Sequence, residues 1–298
     1  MAKFKLRRYV LYYLGRAAAF ILYLFPLGLS LPIAAFFGSL AFLVLGKYRR
    51  TTVENLKAAF GGEKTDEEIN AIARRVFENL SKSGIELLNF PKINKDNLGR
   101  LVTLKNGHIL DEAFGRGKGI VLLTAHFGSW ELLALTLRLN YPGVTLGRRL
   151  YFHKYDEFLN RLRRVHDVNV VYRDESPRKM LKILKDNWIL GVVADQNIDS
   201  VGGVFVNFMG RPAYTPGGPV ALAKASGAAL IPALIIREDG HHTLMVEEPI
   251  ELVDTGNKEA DLVTNTQRWS DVIERYIRQY PDQWVWMHKR WKTQSRPE

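Results

Sequence analysis

The sequence predicts an α/β fold with a mixed, mostly parallel central sheet flanked by helices. Two observations carry this. Apolar runs of strand length recur at residues 119–125, 188–194 and 229–236, as expected of strands buried on both faces. Capped stretches of helical length alternate with them, which is how crossovers cover both faces of such a sheet.

The elements follow in chain order. Residues 48–60 read as a helix stopped by Gly61-Gly62. Thr65 followed by Asp66, Glu67 and Glu68 is an N-cap with acids in the first turn, opening a helix to residue 88. Residues 91–97 read as a loop, 101–104 as a short strand and 108–114 as a short helix. The apolar run 119–125 is a buried strand, and 132–137 belongs to a buried helix. A strand at 168–172 precedes Ser176-Pro177, which caps a helix reaching Asp186 with proline at its first position. The strand 188–194 ends at Asp195. A helix at 217–225, strands at 229–236 and 243–246, and a long helix at 262–279 complete the pattern. His241-His242 fall in an ordinary turn and strand and are expected to be exposed.

The N-terminal segment differs from the rest. Lys3, Lys5, Arg7, Arg8, Arg16, Lys47, Arg49 and Arg50 precede the first acid, Glu54. Between them, residues 17–46 carry no charge, enough length to cross a hydrocarbon core of about 30 Å. Pro26 and Pro32 interrupt the segment. No small-residue cleavage site flanks it, so removal as a signal peptide is not expected. Three readings stay open: one kinked spanning helix, a re-entrant or interfacial helical pair, or core helices. In the first two the basic flanks bind anionic headgroups, at about 1 kcal/mol per Lys or Arg. The expected division is a membrane-anchoring segment at 1–50 and a catalytic domain at 51–298.

The net charge of +11 raises nucleic acid as a partner. The charges flank a lipid-like segment rather than an aromatic-studded sheet, so no nucleic acid is expected. The absence of cysteine excludes disulfides and thiol catalysis.

The chemistry points to His126-Phe127-Gly128-Ser129-Trp130-Glu131, which joins the strand 119–125 to its helix. Ligands of open α/β sheets bind at that edge. A histidine beside a carboxylate is held in one tautomer and becomes a stronger base. His126 is therefore the candidate general base, with Glu131 orienting it and stabilising the imidazolium. Backbone N–H groups near Gly128 and Ser129 are candidate oxyanion donors. Asp195 ends its strand on the same edge if the two strands are parallel, and Gln196 follows it. A metal needs a third ligand, and His-Glu-x-x-His is absent, so no metal is expected. A second constellation is basic: residues 148–185 hold eleven Lys or Arg against five Asp or Glu. A charge run of this kind is usually a solvated helix face, although a guanidinium can also bind phosphate through two parallel hydrogen bonds.

Four segments carry a family resemblance, in order along the chain. They are Thr124-Ala125-His126-Phe127-Gly128-Ser129-Trp130-Glu131, then Ala194-Asp195-Gln196, then Thr215-Pro216-Gly217-Gly218-Pro219 with Gly227 to Pro232, and last Gln283-Trp284-Val285-Trp286-Met287-His288-Lys289-Arg290-Trp291. Together they resemble the late acyltransferases of lipid A biosynthesis and the wider His-x4-Asp/Glu glycolipid acyltransferases. The resemblance implies a glycerolipid-acyltransferase-like fold with N-terminal membrane-anchoring helices. It implies transfer of a fatty acyl chain from an acyl thioester to a hydroxyl of a membrane glycolipid, with a lipid A precursor the leading acceptor. Phosphatidylinositol mannosides and other glycolipids remain alternatives. The donor is acyl carrier protein or acyl-CoA, a co-substrate rather than a cofactor, and no resident cofactor is expected. The implied location is the bacterial inner membrane, with the site on the cytoplasmic face. The resemblance also favours a functional arginine at Arg163 or Arg164, with Arg164 preferred, and a functional Asp195 that orients it or shapes the His126 pocket. Two other classes stay open: a non-catalytic lipid-binding protein of the membrane surface, and a lipid esterase. The esterase lacks support from a Gly-x-Ser-x-Gly elbow.

Overall fold

The structure, a computed structural model, describes residues 2–294, with side chains from residue 8 onward. Lys3, Lys5 and Arg7 of the basic flank therefore lie outside the described side chains. The uncharged segment forms two helices, α1 (Ala2–Leu24) and α2 (Leu27–Val44), which part at Pro26. Proline at that point removes a donor and starts the second helix. Pro32 sits one turn inside α2 and is accommodated there.

Helix α2 is not a core helix. It buries a stripe of small residues, Ser30, Ala34 and Gly38, one turn apart. That stripe packs on α4 (Asp66–Leu88), and α2 and α4 are closely apposed. A Cβ on Gly38 would lie 2.6 Å from the Phe77 carbonyl oxygen, so the close approach requires glycine. The opposite face leaves Leu29, Phe36, Phe37, Leu40, Leu43 and Val44 exposed. Helix α1 also exposes Leu14, Phe20, Ile21 and Leu24. A contiguous apolar surface of this kind marks a partner or membrane contact. Among the described residues α2 is the one helix long and apolar enough to cross a membrane. Lys92 ties α1 to the body by bonding the carbonyls of Tyr23, in its last turn, and Phe25, just beyond it.

Helix α3 (Gly46–Phe60) leads to α4, whose Thr65 and Glu68 form the expected capping box. The stretch read as a loop is instead a 3-10 turn at Phe90–Lys92 and a short helix, α5 (Lys95–Leu98). Asn94 caps α5 by accepting from the N–H groups of Asp96 and Asn97.

The remaining elements are β1 (Val102–Lys105), α6 (His108–Gly115), β2 (Ile120–Thr124), α7 (Trp130–Asn140), β3 (Gly143–Gly147), α8 (His153–Arg164), β4 (Asn169–Tyr172), α9 (Pro177–Lys185), β5 (Ile189–Val193), β6 (Gly203–Phe208), β7 (Arg211–Pro216), α10 (Gly218–Ser226), β8 (Ala229–Glu238), β9 (His241–Val246) and α11 (Lys258–Gln279). Seven strands form one sheet in the order β1-β9-β8-β2-β5-β3-β4. All its pairs are parallel except β8 with β9. Every residue of β2 is buried, and alternate side chains enter two cores. Val121 and Leu123 join one cluster, Ile120 and Leu122 the other. The antiparallel hairpin β6–β7 stands apart as a second sheet and packs on α11.

His242 corrects the expected exposure. It is 3% exposed and its Nε2 lies 2.8 Å from Glu86 Oε1. Arg237 from β8 donates to both oxygens of the same carboxylate. Burial alone would raise the Glu86 pKa, but the Arg237 and His242 charges hold it down to about 2. Glu86 is therefore an ionised acid inside the fold. Arg237→Ala should cost about 3–5 kcal/mol, because it strands that charge. Denaturant unfolding of the solubilised protein checks this, and a loss under about 1 kcal/mol would mean that Glu86 is not ionised.

Candidate active site

Strand register brings the central groups together. Thr124 of β2 pairs with Val193 of β5 in a parallel ladder. His126 and Asp195 each stand two residues beyond that pair, so the two strand ends deliver them side by side. His126 Nδ1 lies 2.8 Å from Asp195 Oδ1. The His126 backbone N–H donates to Asp195 Oδ2 at 3.1 Å, and Trp284 Nε1 donates to the same oxygen at 2.7 Å.

The electrostatics follow from that geometry. Burial disfavours the Asp195 carboxylate, but the His126 charge and three hydrogen bonds to its oxygens keep its pKa below the ordinary aspartate value. An ionised Asp195 has no proton to give, so Nδ1 carries the hydrogen. The lone pair of the neutral ring then sits on Nε2. Burial pushes the His126 pKa down, but the Asp195 charge and hydrogen bond, with a further contribution from the Glu131 charge, raise it above the ordinary histidine value. The His126 side chain keeps 27% of its surface accessible, against 1% for Asp195. The base faces the cavity and its partner lies behind it.

This corrects the expected partner of His126. Glu131, expected to orient His126, stands on the first turn of α7 and binds Arg163 of α8 instead. Asp195, expected to orient Arg164 or to shape the His126 pocket, bonds His126 and not Arg164. Arg163 Nε donates to Glu131 Oε2 at 2.9 Å and Nη2 bonds Oε1, a two-pronged pair. Asn160 Oδ1 takes a third bond from Arg163 Nη1. Arg164, the preferred arginine, is exposed on the other side of α8 and makes no ion pair among the described residues.

The expected oxyanion donors are also displaced. The Gly128 N–H donates to the Gln283 carbonyl at 2.8 Å, and the Gly128 carbonyl accepts from Ser83 Oγ at 2.9 Å. Gly128 has φ +56°, and a Cβ there would meet the Ile235 carbonyl oxygen at 1.9 Å. Only glycine fits this turn. Ser129 is fully buried, and its Oγ has no hydrogen-bond partner among the described residues. Neither residue lines the cavity.

The C-terminal segment, whose individual roles sequence reasoning missed, closes the site from behind. Trp284 bridges Phe127 in antiparallel fashion, and the Val285 N–H donates to the His126 carbonyl at 3.0 Å. Asn55 of α3 donates to the carbonyls of Trp286 and His288. Arg290, 1% exposed, donates to the Tyr214 carbonyl and Thr215 Oγ1 of β7. Burial pushes its pKa down to about 10, against the pull of Asp195. Burial likewise pushes His288 down to about 4, with Asp195 opposing. His288 is thus a neutral imidazole. Its Nε2 accepts from the Asn197 N–H at 2.9 Å, which leaves the hydrogen on Nδ1. The signal was present in the sequence: three tryptophans and four basic side chains within residues 284–292 are unusual for a solvated tail.

His126, Trp130, Glu131, Arg163, Gln196 and His288 all line one cavity of about 1400 Å³. It wraps the carboxyl edge of the sheet. On one side Leu122, Leu133 and Leu137 form an apolar wall from β2 and α7. On the other, Met180, Leu181 and Leu222 line it from α9 and α10. A partly exposed imidazole, a buried hydrogen-bonded partner acid and long apolar walls suit proton abstraction next to an alkyl chain. Among the described residues no group of His, Cys, Asp and Glu is arranged to hold a metal ion.

The profile of the bacterial lipid A biosynthesis acyltransferase family matches residues 1–293. Similar proteins include the phosphatidylinositol mannoside acyltransferase of Mycolicibacterium smegmatis, 28% identical over 69% of this chain and 67% of its own length. The lipid A biosynthesis lauroyltransferase of Escherichia coli is 24% identical over 98% of this chain and 94% of its own. The lipid A biosynthesis palmitoleoyltransferase of Escherichia coli is 24% identical over 62% of this chain and 59% of its own.

Proposed function

We infer that this chain, which belongs to the bacterial lipid A biosynthesis acyltransferase family, transfers a fatty acyl group from an acyl thioester to a hydroxyl of a membrane glycolipid. A lipid A precursor is the leading acceptor, and a phosphatidylinositol mannoside is the alternative suggested by the relatives. The donor is acyl carrier protein or acyl-CoA, and no resident cofactor takes part. The single observation that carries the reading is the His126–Asp195 pair facing an apolar cavity.

In this mechanism His126 Nε2 removes the proton of the acceptor hydroxyl as its oxygen attacks the thioester carbonyl. The C–O bond forms, the C–S bond breaks, and the thiolate leaves with the electron pair and takes up the proton that the imidazolium then gives back. Asp195 stabilises the imidazolium in between. No covalent enzyme intermediate is needed, because the acceptor hydroxyl is the nucleophile. Gln196 and neutral His288 are the lining side chains with N–H groups suited to the developing oxyanion. The Glu131–Arg163 pair fixes α8 against α7 along the cavity wall.

Incubating the purified protein with radiolabelled acyl thioester and a glycolipid extract tests the reading. Label in glycolipid is expected. Release of free acid alone would make the protein an esterase, and neither product would make it a lipid-binding protein.

The exposed faces of α1 and α2 support a membrane location, with the catalytic body on the cytoplasmic side. The segment 1–50 serves as the anchor for the domain 51–298, as an interfacial pair rather than one kinked helix. Replacing Phe36, Phe37, Leu40 and Leu43 by serine removes apolar area at about 25 cal/mol per Å² and should shift the protein from the membrane pellet to the supernatant. These side chains point away from α4, so folding should survive. Wild-type protein that is soluble without detergent would contradict the anchor.

A further inference from the structure

We propose that Arg148 and Arg173 form a phosphate-binding site where the cavity opens to solvent, for the phosphate group of one of the two substrates. This deepens the reading of the site as a glycolipid acyltransferase and rests on it for the identity of the ligand.

The two arginines are placed together by register. Gly147 of β3 pairs with Tyr172 of β4, the last pair of a parallel ladder. Arg148 and Arg173 are the next residue of each strand, and the Arg173 N–H still bonds the Gly147 carbonyl at 2.9 Å. Adjacent strands lie about 4.8 Å apart, so the two backbones present like-charged side chains close together. Both residues line the cavity. Like charges so placed repel unless an anion bridges them.

The other charged side chains that line or adjoin this part of the cavity have partners, the Asp156 carboxylate accepting from the Leu150 N–H, Asn160 and the Tyr172 hydroxyl rather than from a cation. Arg163 is held by both oxygens of Glu131. Arg149 lies 3.5 Å from Asp174 and over the Tyr172 ring at 3.9 Å. Glu175 is taken by Lys179, and Lys292 bonds Asp199 at 3.1 Å. Among the described residues Arg148 and Arg173 make no side-chain hydrogen bond and no ion pair. The site lies at the carboxyl ends of parallel strands, where α/β sheets bind ligands. Two guanidiniums suit the oxygens of a phosphate monoester or diphosphate, which each can bind through parallel hydrogen bonds. Such a group belongs to a phosphorylated glycolipid acceptor or to a phosphate-bearing thioester donor.

The experiment uses the full chain as wild type, R148A, R173A and the double variant R148A/R173A. Inorganic pyrophosphate binding is first measured by calorimetry, which does not depend on turnover. Wild type should bind saturably, and the double variant about tenfold or more weakly, since charged hydrogen bonds are lost. Steady-state kinetics then compare the phosphorylated acceptor with its dephosphorylated form, and acyl-CoA with acyl-pantetheine, which carries no phosphate. KM for one phosphorylated substrate should rise about tenfold or more in the double variant, with kcat little changed and the preference over its dephosphorylated form lost. The substrate affected names the source of the phosphate. R148K/R173K keeps the charge and should recover only part of the affinity. Equal pyrophosphate binding by wild type and R148A/R173A, or unchanged KM for both phosphorylated substrates, would overturn the proposal. Should the pyrophosphate difference hold while no glycolipid is acylated, the site stands and the acceptor assignment falls.

Discussion

His126→Ala should lower transfer by at least 10²–10⁴-fold, the range a positioned general base supplies. The loss should fall on kcat, because Nε2 acts on the proton in flight rather than on bound substrate. Folding should persist: the His126 backbone bonds to Asp195 and Val285 do not need the ring. Steady-state kinetics beside a thermal melt check both points. A folded His126→Ala protein with near wild-type turnover would remove His126 from the chemistry.

Asp195→Asn should be comparably severe, up to about 10⁴-fold in kcat. Two donors, the His126 backbone N–H at 3.1 Å and Trp284 Nε1 at 2.7 Å, converge on Oδ2. An asparagine must put its carbonyl oxygen there to accept them. Its amide nitrogen then occupies the Oδ1 position and donates to Nδ1. That reverses the tautomer, leaving hydrogen on Nε2 where the lone pair is needed. The variant keeps the volume and the Oδ2 bonds, so its melting temperature should move little. Activity of Asp195→Asn within tenfold of wild type would show that Asp195 does not set the tautomer.

Local signals in the chain were readable. The Thr65 and Ser176 caps, the run into His126 and the run into Asp195 all lie where the structure has them, because each depends on near neighbours. The placement of Asp195 on the His126 edge followed from strand ends alone. The choice of partner did not. Glu131 is near His126 in sequence, but the first turn of α7 turns its carboxylate toward α8, whose packing no local pattern announces. Strand β3 begins and ends on glycine and β7 carries two prolines, so neither shows the apolar run that reveals a strand, whereas β6 does in Val204-Phe205-Val206. His242 is buried because Glu86 waits for it 156 residues away, and burial of a charge depends on that distant partner. The hydrogen bonds of Trp284, His288 and Arg290 are long-range in the same way.

In the proposed mechanism Asp195, rather than Glu131, makes His126 a base with its lone pair on Nε2. Nitrogen-15 NMR of histidine-labelled protein, assigned by the signal missing in His126→Ala, reads tautomer and pKa together. Wild type and Glu131→Gln should both show hydrogen on Nδ1 and an imidazolium persisting above the ordinary histidine pKa. Asp195→Asn should show hydrogen on Nε2 and a lower pKa, since the anion that stabilises the imidazolium is gone. An unchanged tautomer and pKa in Asp195→Asn, or a reversal in Glu131→Gln instead, would contradict the account.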